Sequence, residues 1–166
     1  WLKYQHGRII PHLKWNEEFD KCAEKFKLCP KYKYIAVQPD SDTVHSPWRD
    51  YPEEKWKELF DQIDKKEDFL KVILFGMKKK GVFEIRCIVD LRGSTTLIDV
   101  LSIIKNRCSY AILPDGGILS LLYYLDIKFP IEVVSMWSDR QGILKQNVES
   151  PNKLLKHFPI CRTKDN

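Results

Sequence analysis

The 166-residue chain has an ordinary globular composition, with 43% hydrophobic and 31% charged residues. A chain of this length can bury a sizeable core in one domain, and no apolar run approaches the roughly 20 residues that span a bilayer. The formal net charge is +5, but its one dense basic run, residues 78–80, is typical of an exposed loop. Composition therefore argues against a disordered or membrane-spanning chain, and we expect no nucleic-acid partner.

The five cysteines are scattered and contain no C-x-x-C pair: Cys22, Cys29, Cys87, Cys108 and Cys161. A structural zinc site usually shows close ligand pairs, and a disulfide scaffold is usually shorter and denser in cysteine. We therefore predict free thiols and a reducing compartment. The expected location is the cytoplasm, with at most peripheral contact at the inner face of the membrane. The sequence opens with Trp1 rather than Met, as a piece of a longer protein can.

Apolar runs and helical periodicity alternate along the chain. In chain order, the predicted elements are a helix at 17–27, a strand at 34–37, a helix from 52, strands at 71–75 and 87–89, a helix from 97, a strand at 110–113, a helix at 118–125 and a strand at 131–134. Asn16 is the predicted cap of the first helix. Thr96 with Asp99 resembles a capping box.

Strands without polar alternation, separated by helices, favour a parallel sheet covered on both faces. The predicted fold class is a Rossmann-like α/β domain with helices on both faces of the sheet. We divide the chain into a lead-in and helix at 1–32, the Rossmann-like domain at 33–144, and a tail at 145–166. The tail is polar, with weak helical character at 153–157.

The most informative stretch is residues 110–125, in which a buried strand, a turn and an apolar helix follow one another. The turn reads Pro114, Asp115, Gly116, Gly117. Unpaired backbone N–H groups and the positive end of the helix dipole make such a turn a candidate anion site. The two glycines would let a ligand approach the backbone closely.

Polar loops follow three predicted strands and should gather at one edge of the sheet. They cover residues 39–49, 93–96 and 115–117, and residues 137–140 are a candidate fourth. Their hydroxyls, amides, carboxylates and arginines suit a sugar phosphate or a nucleotide. His45 is the one histidine in these loops.

Several known catalytic signatures are absent from the sequence. It has no G-x-S-x-G elbow, no P-loop, no H-E-x-x-H and no dinucleotide fingerprint. Asp40, Asp42 and Asp115 follow strands, as Mg²⁺ ligands can. Caps and turns are the commoner role for such residues, so we predict no metal and no cofactor.

Three short motifs carry a family resemblance. Residues 35–41 and 49–56, which read I-A-V-Q-P-D-S and R-D-Y-P-E-E-K-W, resemble the strand, loop and K-x-W-P-x-x-x-W signature of heptosyltransferase-like glycosyltransferases, family 9. Residues 90–97 look like that family's D-L-x-G-x-T-S-L turn, and residues 114–121 look like its N-D-S-G-x-x-H-L element. The motifs stand in the family's order over roughly residues 33–138.

The resemblance implies the C-terminal, nucleotide-sugar-binding half of a GT-B glycosyltransferase. In such enzymes the donor diphosphate rests on the D-S-G turn, here Gly116 and Gly117. The basic residue of K-x-W-P, here Arg49, neutralises the departing phosphate without a metal. The nucleotide-sugar-binding residues implied in this way are Pro39, Asp40, Ser41, Arg49, Ser94, Thr95, Asp115, Gly116, Gly117 and Ser120. The first three contact phosphate or sugar, while Ser94 and Thr95 lie against the base and ribose.

The family's acceptor site and catalytic base lie in an N-terminal half that this sequence does not contain. We expect the chain to bind a nucleotide sugar, and transfer to a glycan or lipid-linked acceptor to need that missing half. The sequence also departs from the motifs. Ser120 replaces the family's histidine, Gly116 replaces Ser or Thr, Arg49 replaces Lys and Tyr51 replaces Trp.

Two other functions are compatible with the sequence. The histidine-to-serine change and the absent half favour a non-catalytic module that keeps a nucleotide or sugar pocket for interaction. A hydrolase-like or phosphatase-like enzyme using Asp40 or Asp115 is a weaker alternative, because no nucleophile motif or metal cluster supports it.

Overall fold

The computed structural model describes residues 12–40, 50–66, 68–77, 81–137 and 149–161. These residues form a 3₁₀ helix, three α-helices and six strands. The helices are the 3₁₀ helix Glu17–Phe26, α1 Glu53–Lys66, α2 Leu97–Arg107 and α3 Gly117–Tyr123. The strands are β1 Lys33–Val37, β2 Leu70–Leu74, β3 Ile88–Asp90, β4 Cys108–Pro114, β5 Ile131–Trp137 and β6 Leu155–Cys161.

The six strands form one sheet in the order β3-β2-β1-β4-β5-β6. Every neighbouring pair is parallel, so all carboxyl ends meet at the same edge, called the carboxyl edge below. The chain adds β2 and β3 on one side of β1 and then returns to add β4 on the other. The predicted Rossmann-like α/β fold is confirmed, and this order has its topological switch point between β1 and β4.

Helices cover both faces of the sheet, as predicted. On one face Trp56 and Phe60 of α1 pack with Val37 and Leu74 in the smaller core cluster. On the other face α2 and α3 join the larger cluster, which also includes Ala23 of the 3₁₀ helix. Alternate residues of β1 enter the two clusters, because successive side chains of a strand point to opposite faces.

Local capping agrees with the sequence-based prediction. Oδ1 of Asn16 accepts a hydrogen bond from the Glu18 N–H at 3.0 Å. Thr96 and Asp99 form a reciprocal capping box at the start of α2. The box sets the start of α2 at the carboxyl edge of the sheet, directly after the β3 turn.

The prediction of weak helical character at residues 153–157 is wrong. Residues from Leu155 onward form β6, which pairs in parallel with the whole length of β5. Pro159 within this segment argues against a central strand, but proline is tolerated on an edge strand, and β6 stands at the end of the sheet. β5 also continues to Trp137, three residues beyond the predicted 131–134.

Candidate functional site

The described candidate residues all follow strands at the carboxyl edge. Pro39 and Asp40 come directly after β1, and Asp115 and Gly116 come directly after β4. These two strands are neighbours, and the switch point lies between them. In open α/β sheets the crevice outside the carboxyl ends at this point is where ligands bind. The structure therefore brings these two pairs together.

Ser94 and Thr95 lie further along the same edge. They follow β3, which is three strands away from β4, or about 14 Å at the usual spacing of roughly 4.8 Å. The turn is held by Gly93, whose N–H donates to the carbonyl of Gly76 at 2.7 Å. Gly93 has φ +73°, a left-handed conformation that glycine adopts without strain. The candidate residues thus form an elongated row.

The turn after β4 is open toward the space above it. The Asp115 N–H donates to the carbonyl of Met136 at 2.9 Å, which joins the turn to β5. A Cβ added to Gly117 would meet no atom within 4 Å, and one added to Gly116 would lie 3.8 Å from the Pro114 carbonyl oxygen. α3 begins at Gly117, one residue before the predicted start, and Ser120 on α3 is exposed.

Arg92 is a residue of this edge that the sequence analysis placed only in a turn. Its side chain is 1% exposed. Nε and Nη2 donate to the two carboxylate oxygens of Asp90 at 3.0 and 3.1 Å, and Nη2 also donates to the Gly81 carbonyl at 3.0 Å. The guanidinium lies 5.2 Å from the ring centroid of Phe83. Arg92 is thus a buried, paired cation at the end of β3.

Arg92 also reaches the candidate residue Asp40. Nη1 of Arg92 lies 3.6 Å from Oδ2 of Asp40, whose side chain is 22% exposed. In the sequence, the spacing Asp90-x-Arg92 at a strand end indicates that this carboxylate and this guanidinium can pair with each other. That signal does not identify the second carboxylate, because Asp40 is 52 positions before Arg92 in the sequence.

Other predicted residues lie outside the described ranges. These are Ser41, Asp42, His45, Arg49 and residues 138–140 of the candidate fourth loop. Within the described ranges, no group of three or more His, Cys, Asp or Glu residues is arranged to hold a metal ion. The helices in the same ranges include none with the length and apolarity needed to cross a membrane.

Comparison with solved structures connects this fold to glycosyltransferases. The chain is similar to the family 9 glycosyl transferase of Veillonella parvula DSM 2008, with 16% identity and a TM-score of 0.62 over 93% of this chain and 43% of that one. It is also similar to the E. coli ADP-heptose lps heptosyltransferase II, with 17% identity and a TM-score of 0.64 over 89% of this chain and 45% of that one. Neither a family model nor a curated protein matches the sequence.

The chain therefore spans less than half the length of either structure. At these identities the likeness concerns the fold. The resemblance read from the three motifs is confirmed at that level: the described residues have a heptosyltransferase-like, family 9 glycosyltransferase fold.

Proposed function

We propose that this chain is the donor-binding half of a heptosyltransferase-like glycosyltransferase and that it binds a nucleotide-diphospho-sugar at the carboxyl edge. The observation that carries the proposal is the position of the family-like turns. Pro39 and Asp40 on one side and Asp115 and Gly116 on the other flank the switch point of a sheet with the fold of family 9 enzymes.

The row of candidate residues suits an elongated ligand. In the proposed arrangement, Ser94 and Thr95 lie against the base and ribose, and the diphosphate lies over Gly116 and Gly117. The open space above Gly117 supports the close approach of a phosphate to the backbone. Asp40 is a hydrogen-bond acceptor when ionised, so it suits hydroxyl groups of a sugar or ribose better than a phosphate.

The proposed chemistry of transfer needs charge stabilisation on the departing nucleotide diphosphate. Arg49 would supply it through charge-assisted hydrogen bonds, which strengthen as negative charge develops. The base that activates the acceptor hydroxyl would come from the second half of the enzyme. The acceptor is proposed to be a glycan or a lipid-linked glycan, and the location the cytoplasmic side of a membrane.

The test is a calorimetric titration of the chain with ADP, UDP and GDP and then with their sugar conjugates, with and without Mg²⁺. We expect one diphosphate to bind without metal. Arg49→Ala should weaken that binding about tenfold or more, because a charge-assisted hydrogen bond contributes roughly 1.5–3 kcal/mol.

A matched control is Arg86→Ala. Arg86 is an exposed arginine that contacts Asp64 and Asp68, and it precedes β3, at the opposite edge of the sheet. Its removal should leave the nucleotide affinity unchanged. Equal affinity in Arg49→Ala and wild type would contradict the role of Arg49. Absence of binding to every diphosphate and conjugate would contradict donor binding by this chain.

A further inference from the structure

Arg92 contacts three segments of the chain, one of which is 52 positions away in the sequence. Its guanidinium pairs with Asp90 at the end of β3, donates to the Gly81 carbonyl in the segment before β3, and lies 3.6 Å from the Asp40 carboxylate after β1. A single side chain therefore spans the edge from β3 to β1.

The contacts continue from Asp40 to β4. Nε2 of Gln38 donates to the backbone carbonyl of Asp40 at 2.9 Å, and the Gln38 N–H donates to the Ile112 carbonyl of β4 at 3.1 Å. A continuous series of contacts thus runs along the carboxyl edge through Arg92, Asp40 and Gln38. One end lies two residues from Ser94, and the other lies on the strand that precedes Asp115.

Arg92 is unsuited to bind a phosphate itself. The side chain is almost fully buried, and two carboxylates already compensate its charge. Nε and Nη2 are committed to Asp90 and Gly81. A guanidinium fork with these partners has a fixed plane, which a lysine ammonium cannot reproduce.

We propose that Arg92 is a positioning residue that holds the turn after β1 and the turn after β3 in one arrangement, so that both can contact the same nucleotide diphosphate. The inference rests on the proposed function, because it assigns a ligand to the two turns. The two turns are two strands apart, about 10 Å at the usual spacing, and one ligand can contact both well only if they keep that spacing. The charge of Arg92 is secondary, and its fork geometry carries the role.

The experiment compares wild type with Arg92→Lys, which keeps the positive charge, in two measurements. The first is calorimetric titration with ADP, UDP and GDP. The dissociation constant should rise about three- to thirtyfold, the range that a change in coupling through a residue outside the ligand contacts produces. The second is amide hydrogen exchange at Gln38, Asp40 and residues 93–96, which should accelerate in both turns together.

The matched control is Lys105→Met. Lys105 pairs with Asp20 at 2.8 Å and is 13% exposed, but it lies in the last turn of α2, at the amino edge of the sheet. This variant also removes a partly buried ion pair. It should change neither the nucleotide affinity nor the exchange of the two turns, so any general loss of stability is separated from the positioning role.

The outcomes are distinct. Wild-type affinity in Arg92→Lys, or faster exchange confined to residues 93–96, would overturn the positioning role while donor binding stands. If the wild-type chain itself binds none of the three diphosphates and none of their sugar conjugates, the proposed function fails, and the role of Arg92 in nucleotide binding is overturned with it. Weaker binding with joint acceleration of both turns supports the proposal.

Discussion

Nε2 of His157 lies 2.6 Å from Oγ of Ser135, a contact that joins the edge strand β6 to the interior of the sheet. Nε1 of Trp137 donates to the same Oγ at 2.7 Å. A serine hydroxyl has one hydrogen and two lone pairs, so Ser135 can accept from Trp137 and also donate to an unprotonated Nε2 of His157. Burial lowers the pKa of His157 from its ordinary value of 6.5, which favours the neutral ring that can accept this hydrogen bond.

The first prediction concerns the stability of the protein in mild acid. The unfolded chain binds the His157 proton more readily than the folded chain does, because the folded pKa is the lower one. The free energy of unfolding should therefore decrease as the pH falls below 6.5 and toward the folded pKa. Denaturant unfolding between pH 5 and 8, about the range in which histidine titrates, measures it.

His157→Gln should lose this part of the pH dependence, because glutamine can still accept from Ser135 but does not titrate in this range. His12→Gln removes an exposed histidine and should retain it. Identical pH profiles for wild type and His157→Gln would show that the Ser135 contact does not require neutral histidine.

The second prediction concerns Ser135, whose side chain is fully buried. Ser135→Ala leaves the Trp137 N–H and the His157 Nε2 without this partner. It should destabilise the protein by about 1–3 kcal/mol, the cost of leaving a buried polar group unsatisfied. Ser109→Ala, at an exposed position of β4, is the comparison and should change the free energy of unfolding little. A Ser135→Ala variant as stable as wild type would rule out an energetic role for the contact.

The third prediction concerns Arg92. Arg92→Met fills a similar volume but leaves Asp90 and Asp40 without the cation between them. We expect a loss of roughly 3 kcal/mol, as when one partner of a buried ion pair is removed. Adding Asp90→Asn to Arg92→Met should restore part of the loss, because it removes one of the two negative charges that faced Arg92. Urea unfolding of both variants tests this, and no recovery in the double variant would count against charge as the cause.

The fourth prediction uses the open space at the β4 turn. Gly117→Ala should leave the thermal stability close to that of wild type, because the added Cβ meets nothing within 4 Å and alanine favours the helix. Nucleotide-diphosphate affinity should fall at the same time, because the methyl group occupies the space proposed for the phosphate. Unchanged affinity would place the diphosphate away from Gly117.

Gly93→Ala is the contrasting variant for that experiment. Its φ of +73° is a conformation that alanine adopts only with strain, so this change should destabilise the protein by about 1 kcal/mol or more. The pair separates loss of binding caused by an unfolded turn from loss caused by a blocked contact.

The sequence predicted the central part of the fold well, because buried parallel strands read as continuous apolar runs. Residues 34–37, 110–113 and 131–134 all lie within strands of the structure. The cap of α2 could be predicted equally well, since Thr96 and Asp99 lie within four residues of each other. These are local signals, and they require no knowledge of distant contacts.

Strand β6 was not predicted, because its formation depends on a distant contact with β5. Its polar and charged residues are tolerated because it has a neighbour on one side only in the described sheet, and Pro159 weakens the strand signal further. The contact of His157 with Ser135 could not be predicted from the sequence, because it depends on the pairing of β5 with β6.

In the candidate site, the turn at residues 115–117 could be predicted from turn chemistry after a buried strand, while its role in ligand binding stays a prediction. Asp40 follows β1 and Arg92 follows β3, and these strands are far apart in the sequence. Hydrophobic periodicity therefore does not indicate their contact. The domain boundaries 33–144 and 145–166 stay a prediction, as do the ligand contacts of Ser41 and Arg49.

The composition of the smaller core cluster has a consequence for the order in which the chain can assemble during synthesis. Its buried members all lie between Ile35 and Cys87, so all of them have been translated before β4. The larger cluster includes Trp137 and must wait for most of the chain. Because the chain is synthesised from its amino terminus, β6 is the last of the described strands to become available, and as an edge strand it pairs with β5 alone.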